Sequence, residues 1–96
     1  MADRTKLSDA EIDNRLADLP GWAHENGQLR RTFEFSDFVE AFGFMSSAAL
    51  IAERMAHHPN WSNVYKTVEV GLNTHDVGGI TALDFELATA MSKLAG

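Results

Sequence analysis

The dipeptide Asn26-Gly27 constrains the fold of this chain more than any other pair of residues. It stands between two short segments, residues 22–24 and 28–35. Asn-Gly in such a place is typical of a tight β-hairpin, because both residues readily adopt the positive φ angles that the favoured turn requires. In the second segment Leu29 and Phe33 share one face and polar residues share the other, so we expect an antiparallel strand with one buried side.

The rest of the chain alternates between helical and strand periods. Helices are predicted over about residues 8–18, 37–56 and 81–94. The first and last open with the spacing of a capping box, Ser8 with Glu11 and Thr81 with Asp84. Two further strands are predicted over about residues 62–65 and 67–74. The order α-β-β-α-β-β-α predicts an α+β fold, in which three helices pack on one face of a four-stranded antiparallel sheet.

The size and composition of the chain narrow the classes of protein to which it can belong. A length of 96 residues suits one domain, which we expect to span residues 1–96. The absence of cysteine excludes disulfides, thiolate metal ligands and a cysteine nucleophile, and it fits a cytoplasmic location. The first twenty residues contain no continuous apolar stretch, so we expect neither a signal peptide nor a membrane span. A net charge of -6 with scattered Lys and Arg disfavours direct nucleic-acid binding.

The predicted helix over residues 37–56 is apolar around more of its circumference than packing on one sheet requires. Its main stripe consists of Phe38, Ala41, Phe42, Met45, Ala48, Ala49, Ala52 and Met55. Four more residues widen that stripe: Val39, Phe44, Leu50 and Ile51. Because so small a chain has few other surfaces to cover this helix, we expect another subunit to pack on it.

The stretch MAHHPNW, residues 55–61, places His57 and His58 side by side at the predicted end of this helix. Neighbouring side chains point about 100° apart in a helix and to opposite faces in a strand, so both rings can face one cleft only where regular structure breaks. Pro59 predicts that break, because a proline pushes the preceding residue out of the helical region. Glu53, one turn before His57, is a carboxylate placed to hold the His57 ring.

A third histidine, His75, follows the last predicted strand in a segment with two glycines. In a small α+β domain a strand end and a helix end often meet at one rim of the sheet, so we expect the three imidazoles around one pocket. The unperturbed pKa of histidine is about 6.5, which lets such side chains act as general acids and bases at neutral pH.

The same residues have other interpretations. A histidine beside a proline is often a helix cap or a surface residue, and His75 can be a loop residue without a role. Trp61 and Tyr65 are either core aromatics or flat walls for a planar ring, and the capping role alone explains Asp84. A zinc site is disfavoured, since adjacent ligands are unusual and no H-x-x-x-H pair occurs.

A spaced signature runs through residues 53–88. It consists of Glu53, His57-His58-Pro59, Trp61, Asn63-Val64-Tyr65, Thr74-His75, Gly79-Ile80-Thr81 and Asp84. Upstream stand PGW at residues 20–22, LRRTFEF at 29–35 and DFVEAFGFM at 37–45. These segments closely resemble the pterin-4a-carbinolamine dehydratase family, and no position that the family signature marks departs from it. The resemblance covers nearly the whole chain.

The resemblance implies dehydration of 4a-hydroxytetrahydrobiopterin to quinonoid dihydropterin, in tetrahydrobiopterin recycling, without a metal or a bound cofactor. It implies that His57 and His75 are the acid/base pair and that His58 orients the substrate. Further side chains are implied to contact or flank the pterin: Trp22, Glu53, Pro59, Trp61, Tyr65, Thr74 and Asp84.

The resemblance also implies a homodimer or homotetramer, joined through a sheet edge and the helix over residues 37–56. It offers an alternative to catalysis, because animal relatives serve as a dimerisation cofactor of a homeodomain transcription factor. The intact set of three histidines favours the enzyme.

Overall fold

The turn at Asn26-Gly27 forms as the sequence predicts. The computed structural model describes residues 4–96 of the chain. Asn26 and Gly27 have φ angles of 52° and 74°, and they join β1 (Ala23–Glu25) to β2 (Gln28–Glu34) in antiparallel register. A turn with two positive φ angles twists in the same sense as the strands that it joins, so the hairpin closes without splaying them.

The sheet has four antiparallel strands in the order β1-β2-β4-β3, with β3 at Asn60–Val64 and β4 at Thr67–Leu72. Strand β3 begins directly after Pro59, two residues earlier than the sequence predicts. In the central pair, Leu29 lies opposite Leu72 and Phe33 opposite Val68, and all four side chains are buried. Strands β1 and β3 are left at the two edges.

The three predicted helices are α1 (Asp9–Leu16), α2 (Phe38–Met55) and α3 (Ala82–Ala95). Both predicted capping boxes form, at the start of α1 and at the start of α3. The element order and the antiparallel sheet confirm the predicted α+β fold. Within residues 4–96, no helix has the length and apolar character needed to cross a membrane.

Helix α2 buries a narrower face than its composition suggests. Its buried residues are Ala41, Phe44, Ala48 and Ala52. The Phe44 ring lies 4.7 Å from that of Phe33 and 5.0 Å from that of Phe35, so this residue belongs to the core rather than to the edge of the stripe. Four large apolar side chains of α2 remain exposed, Phe38 by 45%, Val39 by 78%, Phe42 by 54% and Leu50 by 74%. The single chain therefore leaves an apolar surface uncovered.

Candidate active site

The end of α2 separates the two adjacent histidines. Ala56 adopts the left-handed conformation, with φ 53° and ψ 40°. The backbone N–H groups of Ala56 and His57 then donate to carbonyls of the last helical turn, those of Glu53 and Ala52, at 3.0 Å each. This reversal is a common helix C-cap, and it ends the helix at Met55, four residues before Pro59. The left-handed residue, which the sequence does not reveal, and the proline together break the regular structure.

The His57 ring turns into the protein, where it meets Asp84 of α3. His57 is 6% exposed, and its Nε2 lies 2.6 Å from Oδ1 of the fully buried Asp84. A carboxylate at this distance accepts the N–H of Nε2, so the proton of the neutral ring stays on Nε2 and Nδ1 carries the lone pair. The sequence predicts Glu53 as the holder of this ring, but the structure gives that place to Asp84.

Asp84 is itself held on its second oxygen. Its Oδ2 accepts the Thr74 hydroxyl at 2.8 Å and the backbone N–H of Thr81 at 3.0 Å. The hydroxyls of Thr74 and Thr81 lie 2.8 Å apart, and because that of Thr74 donates to Asp84, the proton between the two comes from Thr81. Three donors thus fix one buried carboxylate. Asp84 is both the capping-box partner of Thr81 at the start of α3 and the partner of His57.

His58 points the other way and pairs with Glu53. Its Nε2 lies 2.8 Å from Glu53 Oε1, and both side chains are largely exposed. His75 opens a short 3-10 turn, His75–Val77, directly after Thr74. Thr74 also pairs with Gly79 across this turn, its N–H donating to the Gly79 carbonyl at 2.7 Å, so the segment is held close to the start of α3.

The three histidines line one cavity of about 270 Å3. Its other lining residues are Arg4, Ala56, Pro59, Asn60, Asn73 and Asp76. The sequence predicts Pro59 at this place but none of the other five. Asp76 could have been found from the sequence, because it directly follows His75. Nothing near Arg4 in the sequence points to the site. A larger groove, of about 510 Å3 between β2 and α3, contains no histidine in its lining.

The three aromatic residues that the resemblance points to do not line this cavity. Trp22 is 7% exposed, packs edge-on against Phe33 at 5.9 Å and donates its Nε1–H to the Ser92 hydroxyl at 2.8 Å. Trp61 packs against the core from β3. Tyr65 occupies the turn between β3 and β4, with φ 53°, and is 61% exposed.

Imidazoles and carboxylates near this cavity raise the question of a metal ion. Within residues 4–96, no group of three or more His, Asp or Glu side chains is arranged to hold one. The carboxylates of Asp84 and Glu53 are each engaged by a histidine. The imidazoles can move protons and hold polar groups of a ligand.

The chain is similar in sequence to known proteins over most of its length. A sequence model of the family described as pterin 4 alpha carbinolamine dehydratase matches residues 5–94. A Solibacter usitatus relative, which carries the name of that dehydratase, is 53% identical over 91 residues, or 95% of this chain and 96% of the relative. A similarly named relative from Bradyrhizobium diazoefficiens is 60% identical over 82 residues, or 83% of this chain and 82% of the relative.

A solved structure extends the similarity to the fold. The crystal structure of a transcriptional coactivator/pterin dehydratase from Brucella melitensis matches with a TM-score of 0.92 at 42% identity. The match covers 96% of this chain and 100% of that one. Sequence and fold are therefore shared over nearly the whole length.

Proposed function

Because this chain belongs to the pterin 4 alpha carbinolamine dehydratase family, we propose that it dehydrates 4a-hydroxytetrahydrobiopterin to quinonoid dihydropterin and water. The observation that carries the proposal is the meeting of His57, His58 and His75 in one cavity. Its residues come from the end of α2, the start of β3 and the turn after β4, so the fold rather than local sequence brings them together. The step belongs to the recycling of tetrahydrobiopterin.

The reaction needs one base and one acid. The base removes the proton of N5, the electron pair left on N5 forms the C4a=N5 double bond, and the C4a–O bond breaks. The acid gives a proton to the departing oxygen, which leaves as water. Neither oxidant nor reductant is required, and the two proton transfers balance.

His57 is the candidate base. Its Nε2–H is held by Asp84, so Nδ1 is the nitrogen that can accept a proton, and the buried carboxylate stabilises the positive charge that the ring then carries. His75 is the candidate acid, which makes these two residues the acid/base pair. His58, oriented by Glu53, is assigned to hold the substrate and its 4a oxygen.

Catalysis of this reaction asks little of the protein. The carbinolamine already loses water in solution, so orientation with acid/base assistance of about 10²- to 10⁴-fold suffices. Asp84 and Thr74 contribute by positioning His57, and Pro59 forms part of the cavity wall. For Trp22, Trp61 and Tyr65 a contact with the pterin stays a prediction.

The experiment follows quinonoid dihydropterin formation after the protein is added to chemically generated carbinolamine. The wild type is expected to speed the reaction and His58→Ala to lose most of that acceleration. His24→Ala is the matched control, because His24 lies in β1 and does not line the cavity. A wild type that leaves the reaction at its spontaneous rate rejects the proposal.

We propose further that the chain forms a homodimer or homotetramer. The exposed apolar side chains of α2 and the edge strands of the sheet support this assembly, since both are surfaces that a second copy can cover. A cytoplasmic location is proposed on the absence of cysteine from the chain.

The second candidate function is that of a dimerisation cofactor or regulator of a transcription factor. It is favoured by the double description of the Brucella melitensis protein as coactivator and dehydratase, while the apolar surface of α2 suits such a partner and a second copy alike. This alternative is supported if the carbinolamine still dehydrates at the spontaneous rate when the protein is added, while the protein keeps its assembly through α2.

A further inference from the structure

An ion pair forms one side of the histidine cavity. Arg4 Nη1 donates to both carboxylate oxygens of Asp76, at 3.2 and 3.3 Å. The two side chains are 42% and 60% exposed, and a pair so exposed contributes little to the free energy of folding. Within residues 4–96, it is the one salt bridge that a Lys or Arg side chain makes. The pair therefore adds little to stability, and its location in the wall of the cavity points to a role in ligand binding.

Backbone contacts fix the positions of both Arg4 and Asp76 beside the histidine cavity. Asp76 follows His75 in the 3-10 turn after β4. Arg4 lies in the segment before α1, in which Leu7 is buried and donates its backbone N–H to the Ile80 carbonyl at 2.8 Å. The Lys6 side chain covers Gly79, where an added Cβ would lie 2.7 Å from Lys6 Cε. The N-terminal segment is thus laid along the loop that carries His75.

Among the described residues that line the cavity, Asp76 is the one that has a carboxylate. The other two carboxylates of the site are engaged, Glu53 by His58 and Asp84 by His57 and two more donors. Among residues 4–96, the partner of the Asp76 carboxylate is the exposed Arg4 guanidinium, which a ligand can displace at small cost.

A pterin offers Asp76 the same kind of donor as Arg4 does. The 2-amino group and N3–H of a pterin are two parallel N–H donors on the edge of a planar, guanidine-like group. A carboxylate binds such an edge through two parallel hydrogen bonds, as it binds the guanidinium of arginine. C4a lies across the pyrimidine ring from C2, so a ring anchored through its 2-amino edge directs C4a away from the anchor and into the cavity.

Resting on the function proposed above, we propose that Asp76 binds the 2-amino and N3–H edge of the pterin, and that Arg4 competes with the substrate for this carboxylate. Asp76 then determines which planar ring is accepted and how it faces the histidines. Arg4 keeps the carboxylate oriented and weakens the binding of ligands that cannot replace its hydrogen bonds.

The test measures the binding of two stable ligands that are not turned over. They are biopterin and the lumazine with the same side chain, which has an oxygen in place of the 2-amino group. The wild type is expected to prefer biopterin. Asp76→Asn is expected to weaken biopterin binding about tenfold, the factor that one charge-assisted hydrogen bond contributes, and to abolish the preference.

The competition by Arg4 is tested with the same ligands. Arg4→Gln is expected to tighten biopterin binding about two- to fourfold, in line with the strength of an exposed ion pair. The same change is expected to have no effect in the Asp76→Asn background. Asp13→Asn is the matched control, because it removes a carboxylate of α1 that does not line the cavity.

Three results would overturn the inference. Asp76→Asn that keeps the preference for biopterin shows that another group recognises the 2-amino edge. Equal weakening of both ligands shows that Asp76 holds the cavity and not the pterin. Weaker biopterin binding by Arg4→Gln shows that Arg4 assists the ligand. If the wild type still dehydrates the carbinolamine, these results leave the proposed function standing, whereas a wild type that neither binds biopterin nor speeds dehydration overturns both.

Discussion

Replacement of Asp84 by asparagine tests how the protein controls the proton on His57. In the wild type, Oδ2 of Asp84 accepts from Thr74 and from the Thr81 backbone, while Oδ1 faces His57 Nε2. An asparagine has one oxygen, and both of these donors require it. The amide nitrogen is then left facing Nε2, and because it is a donor, the imidazole proton must move to Nδ1. The proposed base can no longer accept a proton.

The expected loss of activity is large and the expected loss of stability is small. Loss of a general base lowers kcat by about 10²- to 10⁴-fold, and an inverted histidine tautomer at a catalytic dyad is known to have an effect at the upper end of this range. The side chain keeps three hydrogen bonds but loses the assistance of the charge, so the free energy of unfolding should fall by about 1 to 2 kcal/mol. Asp84→Ala leaves the same three donors without a partner and should cost more than Asp84→Asn in stability.

The assay combines dehydration rates with nitrogen-15 spectra of the histidine side chains, which distinguish the two tautomers. Asp13→Asn is the control for the chemical change itself. The reasoning is refuted if Asp84→Asn places the proton on Nδ1 and still dehydrates the carbinolamine at the wild-type rate. It is equally refuted if activity is lost while the proton stays on Nε2.

Three further predictions concern the ends of the helices and the uncovered surface of α2. Ala56→Gly should raise the free energy of unfolding by about 1 kcal/mol, since glycine adopts the left-handed φ of 53° without strain. Ala49→Gly, inside α2, should lower the free energy of unfolding by about 1 kcal/mol. Urea denaturation measures both changes, and changes of the same sign would contradict the account. Hydrogen bonds from the backbone and side chain of Ser8 hold the pKa of Glu11 below its usual 4.5, so this carboxylate contributes stability above that pH and loses it as the pH falls through the lowered pKa. Ser8→Ala should bring the pKa of Glu11 part of the way back to 4.5 in an NMR titration, and an unchanged titration would show that the hydroxyl does not act on it. Phe42→Glu should reduce the sedimenting mass at micromolar concentration, unless the wild type is already a monomer, in which case the proposed assembly is wrong.

The features that the sequence predicts correctly depend on residues close together in the chain. The Asn26-Gly27 turn, the capping boxes of α1 and α3 and the alternation of β2 all form as expected. Each depends on hydrogen bonds or face alternation within a few residues, so a local pattern carries the whole signal. The element order then leaves few ways to arrange three helices and an antiparallel sheet.

The face of α2 could not be predicted, because helical period alone does not say which apolar residues meet the sheet. Phe44 lies in the core because it packs against the ring of Phe33 on β2 and against that of Phe35, which directly follows β2. Phe38 and Phe42 are left outside, although their spacing fits the same stripe. A helix with apolar residues on most sides can be rotated several ways, and only packing against particular neighbours selects one.

The sequence by itself determined the fold class, the helix starts and the three histidines as the candidates for proton transfer. The tertiary structure alone decided their partners: His57 with Asp84, 27 residues away, and Arg4 with Asp76, 72 residues away. The left-handed turn at Ala56 directs His57 inward and leaves Glu53 to His58. Hydrogen bonds between distant residues depend on where the folded backbone places each donor and acceptor, and no local pattern of residues contains that distance.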